Sequence, residues 1–453
     1  MQAMRTYVKL ALVILCLILL VSMVALSNRS SNVRAEITPA PHTVHPQLQL
    51  TPDTPPEICG TCHVKQYQEW KDSWMGRALA TPTMVMMQRL YMATAKHADA
   101  AYCLRCHSPL MEPLGKTEQI LQEVLFGEVK SQSISCTGCH LISELTFDPN
   151  DPVSVSHNNP NEKFRVSLPK EGEMITFFGP IKGGESPVHK TAYRDFFRTS
   201  EMCATCHEYN NSGSGGNTPC CTQYSTWRQS KAARQGKSCQ SCHMPRTPNQ
   251  AIAVGGPVRK EGTSFHGFHG GRSPEMVARG AKLAVVFQKK GTQAVLTCRV
   301  TNLAGHNFPD GCPYANELKL FVTVVDENGN KVFEDLRKYG QEFEDPETGR
   351  RPVEEWAAAR LVYNNSLKPD ETRVETFTFD LPKEAATLTA KVRLENHILS
   401  RMPEIKGNML LYGPPGLKET MSTPEMEDYM MRMVADIARP IPVVSAEKKL
   451  SLR

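Results

Sequence analysis

Residues 59–75 read CGTCHVKQYQEWKDSWM, and the first five of them decide how the rest of the chain is read. The pattern Cys-x-x-Cys-His occurs five times, at Cys59/Cys62/His63, Cys103/Cys106/His107, Cys136/Cys139/His140, Cys203/Cys206/His207 and Cys239/Cys242/His243. With 15 cysteines and 14 histidines in 453 residues, chance supplies only about 0.015 such motifs per chain. Zinc sites pair two Cys-x-x-Cys units and need no histidine after each, and disulfides need no histidine at all. Two thiols three positions apart can both add to the vinyl groups of one porphyrin. The histidine that follows then sits beneath the iron as an axial ligand. Each motif therefore reads as the attachment site of one haem c, five in all. Covalent attachment of this kind takes place on the outer side of the membrane.

Upstream of the first motif, an apolar run from Val8 to Leu26 follows Arg5 and contains Lys9 near its start. It is close to the length of a spanning helix and longer than most signal cores. Residues 1–27 are thus a membrane anchor or a signal cleaved after Ser27. Cys16 reads as apolar filler within it, because Leu15 is too bulky for a lipobox. Residues 28–56, rich in Ser, Thr, Pro and Asn, read as a linker holding the solvated His42 and His45. Composition adds little: charged residues are 22%, hydrophobics 40% and the formal charge +5. Five haems would bring about ten propionates and reverse that sign, so charge identifies no partner and gives no case for nucleic acid.

A haem iron has two axial positions. A second histidine gives a low-potential electron-transfer site, methionine raises the potential, and an open position admits substrate. Outside the motifs and the linker, the histidines are His97, His157, His189, His266, His269, His306 and His397. His97 lies on a helical stretch before the second motif, and His189 lies in SPVHK before the fourth. His157 and His397 read as non-ligands.

An internal repeat organises this region. Residues 66–73, QYQEWKDS, and 223–230, QYSTWRQS, share Gln-Tyr-x-x-Trp-x-x-Ser. Together with SPVHKTAYRDFFRTSEMCATCH (186–207), YSTWRQSKAARQGKSCQSCHMP (224–245) and HGFHGG (266–271), these stretches resemble the cytochrome c-554-like multihaem family over about residues 57–272. The resemblance implies distal ligands at His97, His189 and His266, with His269 as the competitor three residues on. It also implies a histidine after the first Trp-x-x-Ser, where this chain has Met75. Ligation by Met75 would make the first haem His/Met and the highest in potential; the plain alternative is packing.

Beyond residue 272 the period changes to two. AVVFQKK (284–290), AVLTCRVTN (294–302), ELKLFVTVVD (317–326), RVETFTFDL (373–381) and LTAKVRLENH (388–397) read as strands of a small antiparallel β-sandwich over 275–412. Between two of them TNLAGHNFPDG (301–311) resembles a loop in multihaem cytochromes that reaches back to a haem, which implies His306 as a further axial ligand. Cys298 and Cys312 are candidates for one disulfide, and vicinal Cys220 and Cys221 have no clear reading. Residues 413–453 read as a C-terminal helix, with Met426, Met430, Met431 and Met433 as packing residues, followed by a charged, Pro-containing tail. The loop 208–222 reads as flexible.

The expected architecture is thus α + β and multidomain. A mainly helical and irregular pentahaem domain over 57–272, with haem as its core, precedes the β-sandwich. Met75, His97, His189, His266 and His306 make five candidates for five irons, which favours electron transfer over catalysis. The expected protein is periplasmic or on the cell surface. Its partners would be redox proteins or a membrane quinol-oxidising complex, and the N-terminal segment would hold it to the membrane. The alternatives are a multihaem oxidoreductase acting on a small nitrogen or sulfur compound, and an electron-transfer subunit of a larger respiratory complex. No Cys-x-x-Cys-Lys motif, catalytic base or cross-linking tyrosine supports the enzyme.

Overall fold

The structure, a computed structural model, describes residues 48–95, 99–126, 128–157, 159–211, 218–311, 316–345, 349, 356, 360–398 and 439–452. The anchor or signal, most of the linker, His97, Cys312 and the methionine-rich 423–438 stretch lie outside them. No helix among the described residues is long and apolar enough to cross a membrane. Residues 49–453 form one compact unit.

The motif-bearing region is built from short helices. The longest described, Pro82–Thr94, has 13 residues, with the Thr81 side chain accepting from Met84 N at its start. Short two-stranded ribbons join the helices. They include Ile142–Leu145 with Phe164–Val166, and a parallel pair, Thr176–Gly179 with Lys190–Tyr193. These ribbons were not expected. They arise where the chain crosses between motifs and its backbone groups need partners. Within residues 208–222, expected to be a flexible loop, Glu208–Asn211 pairs antiparallel with Thr218–Thr222, and 212–217 lie outside the described residues. The linker is also shorter than expected. Asp53 pairs with Lys116, its carbonyl accepts from Gln132 Nε2 at 2.9 Å, and Thr54 is buried.

The β region is a sandwich. One antiparallel sheet has the order β1 (Ala281–Lys290), β2 (Gln293–Asn302), β5 (Thr372–Asp380). The other has the order β4 (Lys331–Tyr339), β3 (Glu317–Asp326), β6 (Thr387–His397), β7 (Ile441–Ser451). Strand alternation sends Ala294, Leu296, Cys298 and Val300 from one sheet toward Leu318, Leu320, Val322 and Val324 from the other, and all eight are fully buried.

β7 corrects the expected tail, because residues 441–451 complete the sandwich. The strand is at the sheet edge and only Val443 is buried, so its sequence shows little apolar alternation. Pro442 sits at the register shift opposite Glu395, where a strand tolerates a missing N–H. The expected disulfide is also corrected in part. Cys298 is a free thiol inside the sandwich, and burial pushes its pKa up to about 12.

Candidate haem-binding centre

The motifs form short helices or run directly into them. Cys136–His140 and Cys239–His243 are single turns, so the two thiols and the histidine come from one helical face. Ser135 caps the first turn, accepting from Gly138 N at 3.2 Å, and Ser238 caps the second in a capping box with Ser241. Glu201–His207 carries the fourth motif. The buried Lys163 ammonium closes its C-terminal end, donating to Ala204 O at 3.4 Å and Glu208 O at 2.5 Å.

The first motif differs from the others at one thiol. The other nine are partly buried, whereas Cys62 is exposed. The reason is local. The helix Pro56–Gly60 ends before the motif is complete, with Thr61 as its C-cap, and the rest of the motif is held in a looser turn in which Cys62 N and His63 N donate to Cys59 O at 3.2 and 2.8 Å. The Cys62 carbonyl is tied down, accepting from Val254 N at 2.9 Å, and Thr61 Oγ1 lies 3.9 Å from the Cys62 sulfur.

Three motif histidines face a second histidine across a gap. His63 faces His189 with ring centres 6.3 Å apart and planes 31° from parallel. His140 faces His266 at 6.4 Å and 27°, and His243 faces His306 at 6.4 Å and 21°. The spacing is too wide for stacked rings. It equals what two imidazoles need to hold one metal between them: bonds of about 2.0–2.1 Å on each side, plus roughly 1.1 Å from donor nitrogen to ring centre, give about 6.3 Å.

The other ring nitrogen agrees. Nδ1 of His63 hydrogen-bonds Ile252 O at 3.0 Å, that of His107 Ala78 O at 2.7 Å, that of His140 Phe178 O at 2.7 Å and that of His243 His269 O at 2.5 Å. The facing histidines repeat this, with His189 on Lys190 O at 3.1 Å, His266 on Ser264 O at 2.8 Å and His306 on Asn307 O at 2.7 Å. A carbonyl holding the Nδ1 proton leaves the Nε2 lone pair for a metal and fixes the ring plane. Burial keeps the rings neutral, as ligation requires. It lowers the pKa of His107, His189, His243, His266 and His306, and takes those of His140 and His207 down to about 4. His157 and His397 behave differently. Nε2 of each lies 3.3 and 3.1 Å from the carboxylates of Glu162 and Glu395 respectively.

Two further expectations change. His269 competes with His266 only in sequence: its carbonyl serves His243, while its ring packs on Phe265 at 4.7 Å. Met75 does not stand opposite His63; His189 does. The segment that carries Met75 turns toward the second motif instead, where Ala78 O holds His107 and Leu79 N donates to Ser133 Oγ at 3.0 Å. Met75 is half-buried there. Among the described residues no second histidine ring faces His107 or His207.

The attachment cysteines of different motifs also meet. Cys59 and Cys136, Cys203 and Cys239, and Cys106 and Cys206 lie close enough for each thiol to perturb the other. Cys139 lies within electrostatic reach of Cys203 and Cys206. Cys220 packs against Phe343.

Residues that sequence reasoning missed hold the loops in place. Glu69 Oε2 accepts from His266 N at 2.9 Å, and Thr226 Oγ1 accepts from Asn307 N at 3.3 Å. Asp310 is buried beside His306, 3.8 Å from Nδ1. Burial pushes its pKa up to about 7, against hydrogen bonds from Gly311 N, Thr226 and Thr222. The repeat around Trp70 and Trp227 was the available signal for the first two.

Residues 58–141 match the family described as cytochrome c554 and c-prime. Among solved structures, the penta-heme cytochrome c552 from Thermochromatium tepidum is similar at 19% identity and a TM-score of 0.61, covering 88% of this chain and 99% of its own. The putative ApaA protein from Bordetella pertussis aligns at 15% identity over 38% of this chain and 95% of its own, with a TM-score of 0.17. No curated protein matches the chain in sequence. Motif chemistry, facing imidazoles and the match over residues 58–141 point the same way: this chain is similar to the multihaem c-type cytochromes of the cytochrome c554 family.

Proposed function

We propose that the chain carries five haems and acts as an exported electron relay, from a membrane-side donor such as a quinol-oxidising complex to a periplasmic or external acceptor. The observation that carries this reading is the three facing histidine pairs at 6.3–6.4 Å, each with Nδ1 held by a carbonyl. The cysteine pairs of the five motifs would hold the haems. His63 with His189, His140 with His266 and His243 with His306 would hold three irons from both sides. Haem c supplies reversible one-electron chemistry at its iron; the chain supplies anchoring, orientation and exclusion of water.

The cysteine contacts support an order in space. The first and third motifs adjoin, the third approaches the fourth, and the second and fifth both lie beside the fourth. A relay with a branch at the fourth motif follows. The exposed Cys62 would bring one edge of the first haem to the surface, which suits an end of the relay that meets a partner. Met75 and His97 remain the candidates for the irons of His107 and His207.

The second reading, an oxidoreductase acting on a small nitrogen or sulfur compound, needs an open iron. His107 and His207, which face no second ring among the described residues, are where it would be. Ferric EPR on the purified protein, with a pyridine haemochrome count, separates the two. Five haems per chain and wholly low-spin iron support the relay. A high-spin signal that shifts when cyanide or nitrite is added would replace it with the enzyme, and fewer than five haems would remove the pentahaem reading.

A further inference from the structure

The two Gln-Tyr-x-x-Trp-x-x-Ser stretches share more than sequence. In α1 (Val64–Lys71) and α2 (Gln223–Arg228) the equivalent side chains make equivalent bonds. Tyr67 OH donates to Glu57 at 3.4 Å and Tyr224 OH to Glu201 at 2.7 Å; each glutamate lies two residues before the first cysteine of a motif. Trp70 Nε1 donates to Ile134 O at 2.8 Å and Trp227 Nε1 to Lys237 O at 2.9 Å; each carbonyl lies two residues before the first cysteine of a later motif. The Tyr–Trp ring pairs meet at 6.2 Å and 31° in one repeat, and at 5.6 Å and 32° in the other. Ser73 Oγ accepts from Gly76 N at 3.0 Å, and Ser230 Oγ from Ala233 N at 3.1 Å. The first cysteines of the linked motifs are neighbours in both, Cys59 of Cys136 and Cys203 of Cys239.

The fourth position of the repeat differs in chemistry but not in task. Glu69 takes the backbone N–H of His266, and Thr226 takes that of Asn307, the residue after His306. Each bond fastens a His-x-Phe loop that brings a ring opposite the later motif of its unit, His266 opposite His140 and His306 opposite His243. The intervening second motif has its own apolar cluster, Leu79, Met84, Leu104, Met111, Ile120 and Val124. It therefore reads as an insertion into the first unit.

We infer that the first-with-third and fourth-with-fifth motifs are two copies of one di-haem unit, and that Glu69 and Thr226 are equivalent positioning residues for the loops that carry the second imidazole. The inference rests on the ligand pairs proposed above. Their difference in charge has a consequence. A carboxylate beside His266, offset in part by Lys65 at 3.8 Å, favours the oxidised, more positive iron. The third-motif haem is therefore held at a lower potential than a hydroxyl at the same place would give.

The test uses full-length protein loaded with haem, read by EPR and by redox titration. His266→Met and His306→Met first mark which midpoint belongs to which pair, since methionine raises it. Glu69→Thr should keep every haem low-spin and move only the His266-marked midpoint upward. Glu69→Val should move the same midpoint and also convert part of that iron to high spin, because the loop loses its acceptor. Thr226→Val should affect only the His306-marked midpoint. Equal damage from Glu69→Thr and Glu69→Val would overturn the equivalence, as would a Glu69 variant that moves the His306-marked midpoint or none. If His266→Met itself leaves spectrum and midpoints unchanged, the ligand assignment is what has failed, and the inference falls with it.

Discussion

Replacing His306 by alanine tests whether the β-sandwich completes a haem. The ring faces His243 at 6.4 Å, and no other histidine ring approaches His243 so closely among the described residues. The loop does not depend on that ring for its position. Asn302 Nδ2 donates to His306 O at 2.8 Å, Leu367 O at 2.9 Å and Lys368 O at 3.0 Å, while Asn307 N is held by Thr226. All of these use backbone groups that alanine retains. The stability cost should therefore be that of one truncated buried side chain, about 1–3 kcal/mol, and the haem stays attached through Cys239 and Cys242. One iron of five loses an imidazole, so about one fifth of the ferric iron should become high-spin. Added imidazole, entering the space the ring vacates, should return that fraction to low spin. A variant that stays wholly low-spin, or one in which several irons change together, would refute the assignment of His306 as a ligand held independently of its loop.

Three further outcomes follow. Replacing both Cys103 and Cys106 by alanine should lower the haemochrome count by one and leave the signals of the three His/His irons in place, since the second motif packs on its own apolar cluster; loss of more than one haem would contradict the insertion. Burial pushes the Glu123 carboxyl up, but hydrogen bonds from Gln119, Ser131 and the N–H groups of Ser131 and Lys130 outweigh it and hold the pKa below 4.5. Stability from Glu123 is therefore present above that value and lost as pH falls through the folded pKa. Glu123→Ala should cost about 1 kcal/mol at pH 7 and progressively less as the pH is lowered through the folded pKa, by denaturant titration across the acid range. Leu320→Ala, in the centre of β3 and fully buried, should cost about 2–5 kcal/mol, and a change under 1 kcal/mol would mean that the two sheets do not pack as described.

What the sequence discloses divides along a physical line. A Cys-x-x-Cys-His motif is complete within five residues, so each attachment site and its proximal histidine can be read locally. The sandwich strands are open to reading, because burial on one face writes a period of two into 294–302 and 317–326. β7 escaped because an edge strand with one buried side chain writes almost no period. The second imidazoles are a different matter. His189 meets His63 from far along the chain, and no local pattern states that pairing. The family resemblance implies candidate positions but not partners: it sets Met75 against the first iron, whereas the ring that faces His63 is that of His189.

The pairing also explains why the haem region and the sandwich form one compact body. A haem has two faces, and a motif covers only one. The other face must be closed by a residue whose position is fixed by something other than the motif. In the first unit that residue arrives on the chain's own return, through His266 and its bond to Glu69. In the second unit the chain has left the helical region before the face is closed, and the loop after β2 reaches back with His306. Asp370, on the loop before β5, adds to the hold by accepting from Lys231 N at 2.6 Å, just after α2. The sandwich is thus the structural counterpart of the first unit's returning loop. If His306 is the ligand proposed above, this interface, which also includes the Thr226–Asp310 and Asn396–Gly271 bonds and the packing of Cys220 on Phe343, ties the folding of the β region to the electronic state of a single iron. A mutation deep in the sandwich, such as Leu320→Ala, should therefore disturb the His243 haem before any other.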